Sequence, residues 1–472
     1  MQQLEILLDR ILSRVNLNLR PFHFKADESI RDLIPAEKLI RFYGFYGVTS
    51  QHPLQFNFSR SNVGGSYFLG KCVVDHSILH KCDIRGDELK RKGDTFEHNG
   101  GAIVLGDDEI IRIRDSFLIH TLVHNYSHDP EHPEEFLIQN TAAAHYANIH
   151  GAPVEGCFLG PFATVDLCTL HGCKIGTFSY VQAGDLFHEN IPDGTIWIRK
   201  NTFEFIYRFD PDFLSPYIRF EPGKLPEGII MDFVESRKEG FQEVFENPYS
   251  ELPIDVPEGS AVSSYAVIRG QTVVEGAVLV SQRAYLDSAW MGPGANAQEN
   301  SYIINSRLEK NDVTAHGAKI INAHLAERVF VGFNSFIRGG ENAPLKIGKG
   351  CIVMPHTIMD LEEGLEIPQE TAVWGLIRNA EDLKKHSMAL KDLEKVNGEV
   401  GLGNMKFKGS GKDFVDVFRR RIDHVLEVNG AYYLETGQKG HAQDDGFISF
   451  NTIQPYLTGR YKGLFPTIDI RP

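Results

Sequence analysis

Residues 256–286 read VPEGSAVSSYAVIRGQTVVEGAVLVSQRAYL. Stepping by six from Val256 gives Val262, Ile268, Val274, Val280 and Leu286. A period of six belongs neither to an α-helix nor to a flat strand, whose side chains repeat at 3.6 and 2 residues. It is the repeat of a parallel β-helix, in which each short rung stacks on the one before. Four residues past each step the side chains are small or β-branched: Ser260, Ala266, Thr272, Val278 and Ala284. The aliphatic residue points into the prism and the small one fits its tight corner. Continuing the six-step gives Gly292, Gln298 and Ile304, while Trp290 and Asn296 break the second pattern just where the first weakens. The register resumes at Val313, Lys319, Leu325, Val331 and Ile337, and again at Ile347, Val353, Met359 and Leu365.

The same period appears earlier. In Phe136–Phe187 the apolar steps include Ile175, Val181 and Phe187, and the stretch carries His145, His150, Asp166 and His171. An earlier start near Val63 and Leu69 falters at Asp75, where a polar excursion leaves the rungs. Histidines 120, 124, 128 and 132 recur every fourth residue, but Pro130 and Pro133 argue against one helix across them. A loop there can still supply a catalytic base. Aromatic residues dominate from Phe203 to Phe220, where the period is lost. The chain therefore reads as an N-terminal helical and aromatic cap (1–60), a first coil block with loop insertions (61–200), an inserted arm or subdomain (201–253), a second coil block (254–378), and C-terminal helices and tail (379–472). Helices are expected over 380–396 and 412–428, with a flexible linker between them.

Composition narrows the function classes. The net charge of −15 leaves no excess of Lys and Arg to displace phosphate counterions, which argues against a nucleic-acid partner and disfavours an anionic membrane surface. No apolar run approaches the roughly 18 residues of a membrane span. Leu4, Leu7, Leu8, Ile11, Leu12 and Val15 predict an amphipathic helix whose acidic residues do not suit a signal peptide. Six cysteines without a CxxC pair in 472 residues do not form a disulfide framework. The expected setting is cytoplasmic.

The registers over roughly 63–85, 138–200 and 254–375 resemble the hexapeptide-repeat superfamily. That resemblance implies a left-handed parallel β-helix with helical caps and, by family habit, a homotrimer acting on a small-molecule substrate. One branch, the gamma-class carbonic anhydrases, is similar in two stretches: Ile138-Gln139-Asn140 leading to His145, and Leu170-His171-Gly172-Cys173 followed by Ile175-Gly176. Arg85-Gly86-Asp87 resembles that branch's subunit-bridging motif. The resemblance implies a divalent metal (Zn2+, Fe2+ or Co2+) held between subunits of a trimer by His145, Asp166 and His171, with Gln139 orienting a bound water. It departs from the branch in that Asp166 stands where a histidine is expected. The other branch comprises acyltransferases that take acyl-CoA and use a loop histidine as general base, for which His124 and His128 are the candidates beside His171. No CoA-phosphate patch stands out near the C-terminal rungs, where Lys346 and Lys349 are the basic residues that could contribute to one. A third reading is a non-catalytic scaffold or assembly subunit. The second block lacks the ligand set and reads as purely structural.

Overall fold

The computed structural model describes residues 2–39, 44–48, 56–86, 89–98, 101–124, 133–241, 254–433, 438–439 and 449–453. The chain divides into two compact units, one of Met1–Thr195, Leu214–Met231 and Ile448–Pro472, the other of Ile196–Phe213 and Asp232–Phe447. Each unit is built on a parallel β-helix with three strand faces.

In the first unit one turn of coil takes sixteen residues over its regular part. Asn148, Thr164 and Tyr180 stack in register on one face, and Val154 stacks on Leu170 on the next. Residues of successive turns thus form columns, each bonded through backbone amides to the turns before and after. The corners add a second set of bonds. The Thr141 hydroxyl accepts from the Cys157 amide, the Cys157 thiol from the Cys173 amide, and the Cys173 thiol from the Glu189 amide. Small side chains recur at corners partly for room and partly because they satisfy an otherwise bare N–H. Another corner places Tyr146, Phe162 and Phe178 at φ of 62°, 56° and 53°, a left-handed backbone that costs a non-glycine residue about 1–2 kcal/mol. Stacking of Tyr146 on Phe162, with ring centroids 5.0 Å apart, helps offset that cost.

The helix Gln2–Leu19 covers one face of this coil. Its Leu8, Ile11, Leu12, Val15 and Leu19 form one apolar cluster with Ile78, Phe117, Ala142 and Phe158, which point outward from the rungs. Asn16 accepts from the Ala26 amide and donates to Asp27, closing the turn that follows the helix.

The second unit explains where the six-step falters. Its inward residues run Val262, Val280, Ala297, Thr314, Val331, Val353 and Val373 on one face. The second face carries Ile268, Leu286, Ile303, Ile320, Ile337 and Met359. From Leu286 the chain reaches the next core position at Met291, five residues on rather than six. One face of the turn is a residue short, so Gly292, Gln298 and Ile304 fall one place off the core. Val256, which began the count, is 38 % exposed. After the slip, Val313 and Lys319 likewise stand one place before the inward Thr314 and Ile320.

The C-terminal region holds a correction. The helix expected over 380–396 is broken into Ala380–Lys385 and Leu390–Leu393 by the strand Ser387–Ala389, helix returns at Gly411–His424, and the glycine-rich linker is an antiparallel hairpin, Asn397–Leu402 with Met405–Ser410. Met405 and Phe407 are buried in a period of two, and the second hairpin strand pairs with Phe203–Arg208. That alternation, not the glycine count, was the informative signal. Ser410 then caps the last helix by accepting from the Asp413 amide.

Lys319 is wholly buried on the face roofed by Phe233, which packs on Tyr302 and Phe336. Its ammonium donates to the Gly317 carbonyl, and desolvation pushes the amine down to about 7. The unfolded chain then binds more protons than the folded one between about pH 7 and 10, so stability rises with pH across that window and is flat below it. Lys319→Met is expected to remove this slope in urea titrations of the second unit and to raise stability at neutral pH by on the order of a few kcal/mol. Ile320→Ala, one position along and inward, is expected to cost about 2–5 kcal/mol by the same measurement.

Candidate functional site

One face of the first coil is unlike the others. Its strands Asp83–Arg85, Leu122–His124, Asn148–His150, Thr164–Asp166 and Tyr180–Gln182 stack in parallel. Strand alternation sends the middle residues, Ile84, Val123, Ile149, Val165 and Val181, into the core. The flanking residues point outward in two columns. One runs Asp83, Leu122, Asn148, Thr164 and Tyr180, and the other Arg85, His124, His150, Asp166 and Gln182. All ten are buried, although most of them are polar. Burying a polar group is costly unless it is bonded, so this face is where chemistry is to be sought.

Asp166 is the centre of it. Its side chain has no exposure, and its Oδ1 lies 2.7 Å from His150 Nδ1. Its Oδ2 accepts from the Gln182 amide at 3.2 Å and from the Tyr180 hydroxyl. A carboxylate serving three donors fixes Nδ1 of His150 as the protonated nitrogen. In the neutral ring the lone pair then lies on Nε2. His124 sits one strand position before His150, with ring centroids 5.2 Å apart and planes tilted by 49°. Arg85, from the RGD triplet, is the next residue along the same column, while Asp87 lies outside the described residues.

Within one chain the three residues of the expected intersubunit metal set lie apart. Asp166 is committed to His150, Tyr180 and Gln182. His145 lies in the preceding corner, stacked on His120 with centroids 5.4 Å apart. His171 belongs to a different face, where it stands in register with Glu155, 3.4 Å away, and lies flat against Phe187. Gln139 is in that same column, opposite Glu155. The reason is geometric. With three faces in sixteen residues, a separation of five carries the chain to the next face, so Asp166 and His171 diverge. A separation of sixteen returns it to the same column, so His150, Asp166 and Gln182 meet. That spacing was present in the sequence and was the missed signal. Of the proposed bases, His124 lies on the site face and His128 falls outside the described residues. Lys349 pairs with Glu327 at 2.6 Å, which leaves Lys346, in register with His324 and Glu366, as the exposed candidate for a phosphate.

The second coil, expected to be purely structural, carries a pair of its own. Glu299 Oε2 lies 2.8 Å from His316 Nδ1, and both side chains are nearly wholly buried.

Comparison with known proteins agrees with this architecture. A family described as the hexapeptide repeat including loop matches residues 101–222. A crystal structure from Desulfovibrio desulfuricans G20, of a protein provisionally described as an acetyltransferase, is 53% identical, with 99% of this chain and 98% of that chain covered and a TM-score of 0.91. A Bacillus cereus structure with the same provisional description shares 16% identity over 36% of this chain and 96% of its own. Its TM-score of 0.18 carries no argument. No curated protein matches the chain. The chain belongs to the hexapeptide-repeat family of left-handed β-helix proteins. Within it, a relative similar over its whole length is described as an acetyltransferase. Among the described residues no helix is long and apolar enough to cross a membrane.

If Asp166 is the acceptor that holds this face together, removing it strands three buried donors. Asp166→Ala is expected to lower unfolding free energy by about 3 kcal/mol or more, measured by denaturant titration. Glu155→Ala, which removes the exposed partner of His171, should stay within about 1 kcal/mol of the parent.

Proposed function

We propose that the protein transfers an acyl group from a CoA thioester to the amine or hydroxyl of a small acceptor, with His150 as general base. The observation that carries this reading is the 2.7 Å contact between His150 Nδ1 and the buried Asp166 carboxylate. It orients the ring and leaves Nε2 to accept a proton, the base–orienter arrangement that acid–base catalysis requires. Membership of the family, through a 53% identical relative described as an acetyltransferase, supports the same class.

The steps follow from the residues. Nε2 of His150 takes the proton from the acceptor as its nitrogen or oxygen attacks the thioester carbonyl. The carbon–sulfur bond then breaks, and the imidazolium returns its proton to the departing CoA sulfur. Asp166 stabilises the imidazolium while it exists, and Tyr180 and Gln182 hold Asp166 in place. His124 lines the same column, one turn before His150. Lys346 is the residue proposed for a CoA phosphate. A homotrimer is the assembly proposed for the active protein.

Release of free thiol from acetyl-CoA, assayed against a panel of small amines and alcohols, tests the reading. His150→Ala should lose about 10^2–10^4-fold in kcat with acyl-CoA binding retained in calorimetry. Asp166→Asn should lose activity in the same direction, through a misoriented ring. Absence of acyl-CoA binding across short and long chains would remove the proposal and leave the scaffold reading.

A further inference from the structure

We infer that His124 and His150 together bind a divalent transition metal of the Zn2+ or Co2+ class. To the His150–Asp166 contact that the acyl-transfer reading uses, the inference adds the approach of a second histidine, His124. The two rings bring ligand nitrogens within 4.8 Å of each other. A metal bound to two imidazoles at about 2.0–2.1 Å needs a somewhat shorter separation, which a small rotation about the side-chain bonds supplies. Nδ1 of His150 is already bound to Asp166, so Nε2 is the nitrogen offered.

The surroundings are those of a metal ligand. A metal-bound histidine characteristically places its second ring nitrogen on a carboxylate, which fixes the tautomer and raises the basicity of the coordinating nitrogen. Here that carboxylate is Asp166, itself held by Tyr180 and Gln182. The charged groups in these two outward columns are Arg85, Asp83 and Asp166. The two carboxylates offset the guanidinium, so the local field does not oppose a dication. Two imidazoles leave further coordination positions for water or an exogenous ligand.

A consequence follows for the proposed catalysis. A metal on Nε2 of His150 occupies the lone pair with which the base would accept a proton. Metal binding and acyl transfer are then mutually exclusive, and the metal is an inhibitor of this site.

The test uses the full chain, stripped with a chelator and titrated with Zn2+ by calorimetry and with Co2+ by visible absorption. One metal per chain is expected. His124→Ala and His150→Ala should each lose it, and Asp166→Asn should weaken it about 10–100-fold. His120→Ala, from the neighbouring corner, should keep it. Should a variant fail to fold, imidazole 15N shifts of the parent protein decide the matter, since coordination at His124 and His150 moves their resonances on addition of Zn2+. No binding at micromolar Zn2+, or full stoichiometry retained in a folded His150→Ala, overturns the inference. Acyl-transfer activity, where the panel yields it, should fall with Zn2+ and return with chelator. Activity that is undiminished in the metal-loaded protein overturns the inhibitory role. If no acceptor is found, the acyl-transfer reading fails while the binding measurements still decide the metal site.

Discussion

The constraint on which this structure depends is the in-register stacking of successive turns. Each rung is too short to hold itself together, and its backbone amides are satisfied by the turns before and after it. Register therefore has to be kept at every turn, and it is kept by columns: aliphatic inside, and hydroxyl, thiol or small residues at the corners. Cys157 and Cys173 belong to that scheme as acceptors of backbone N–H groups, in places that Thr141 fills with a hydroxyl. Their chemistry in the fold is that of a polar corner, not of a redox pair. The same register decides which distant residues meet. His150, Asp166 and Gln182 are neighbours because they are one turn apart, and no loop is needed to bring them together.

The price of that economy is an exacting face. Asp83, Arg85, His124, Asn148, His150, Thr164, Asp166, Tyr180 and Gln182 point away from the core and are nevertheless buried. An apolar set of side chains would cover such a face at less cost, since desolvating ionisable groups is offset only by well-placed partners. Asp166 shows how it is met, with donors from a histidine, a tyrosine and an amide on two adjoining turns. The tyrosine and the glutamine are on the same strand, Tyr180–Gln182, whose middle residue faces inward. Alternation places both on the outer side, where they reach one carboxylate oxygen together.

How much of this was legible in the sequence differs from element to element. The period of six identified the coils and their axis-facing aliphatics, because a hexad repeats often enough to be counted. The N-terminal helix was readable for the same reason. The one-residue shortening after Leu286 was visible only as a weakening at Gly292 and Gln298, since a deletion looks like noise until the next turns are aligned. The hairpin 397–410 was hidden by glycines that suggested a linker, although Met405 and Phe407 already alternated. The site was less legible. His145, Asp166 and His171 drew attention through a family pattern built on spacings along the chain. The contacts obey the length of the turn, which is sixteen here and not six. His150 was in plain view throughout, and what was missing was the rule that pairs it with the residue sixteen further on.

That rule also sets a limit on how much weight a histidine–carboxylate contact can bear. Because any two residues one turn apart become neighbours, such pairs arise readily in a coil. Four are present among the described residues just from adjacent turns: His150 with Asp166, His171 with Glu155, His316 with Glu299, and His324 with Glu309. Contact alone does not distinguish them, since His324 and Glu309 approach as closely as His150 and Asp166, both at 2.7 Å. Burial does. The pairs at His171 and His324 keep more than a third of each side chain exposed, and a solvated pair of that kind contributes little. The pairs at His150 and His316 are nearly dry, so each has given up hydration that the other two retain. A coil that needed only stacking would be expected to fill those two positions with apolar residues, as it does at the same depth elsewhere. The retained polar pair in each coil is therefore a feature that stacking alone does not require. In the first coil that pair is also the one with a second histidine beside it.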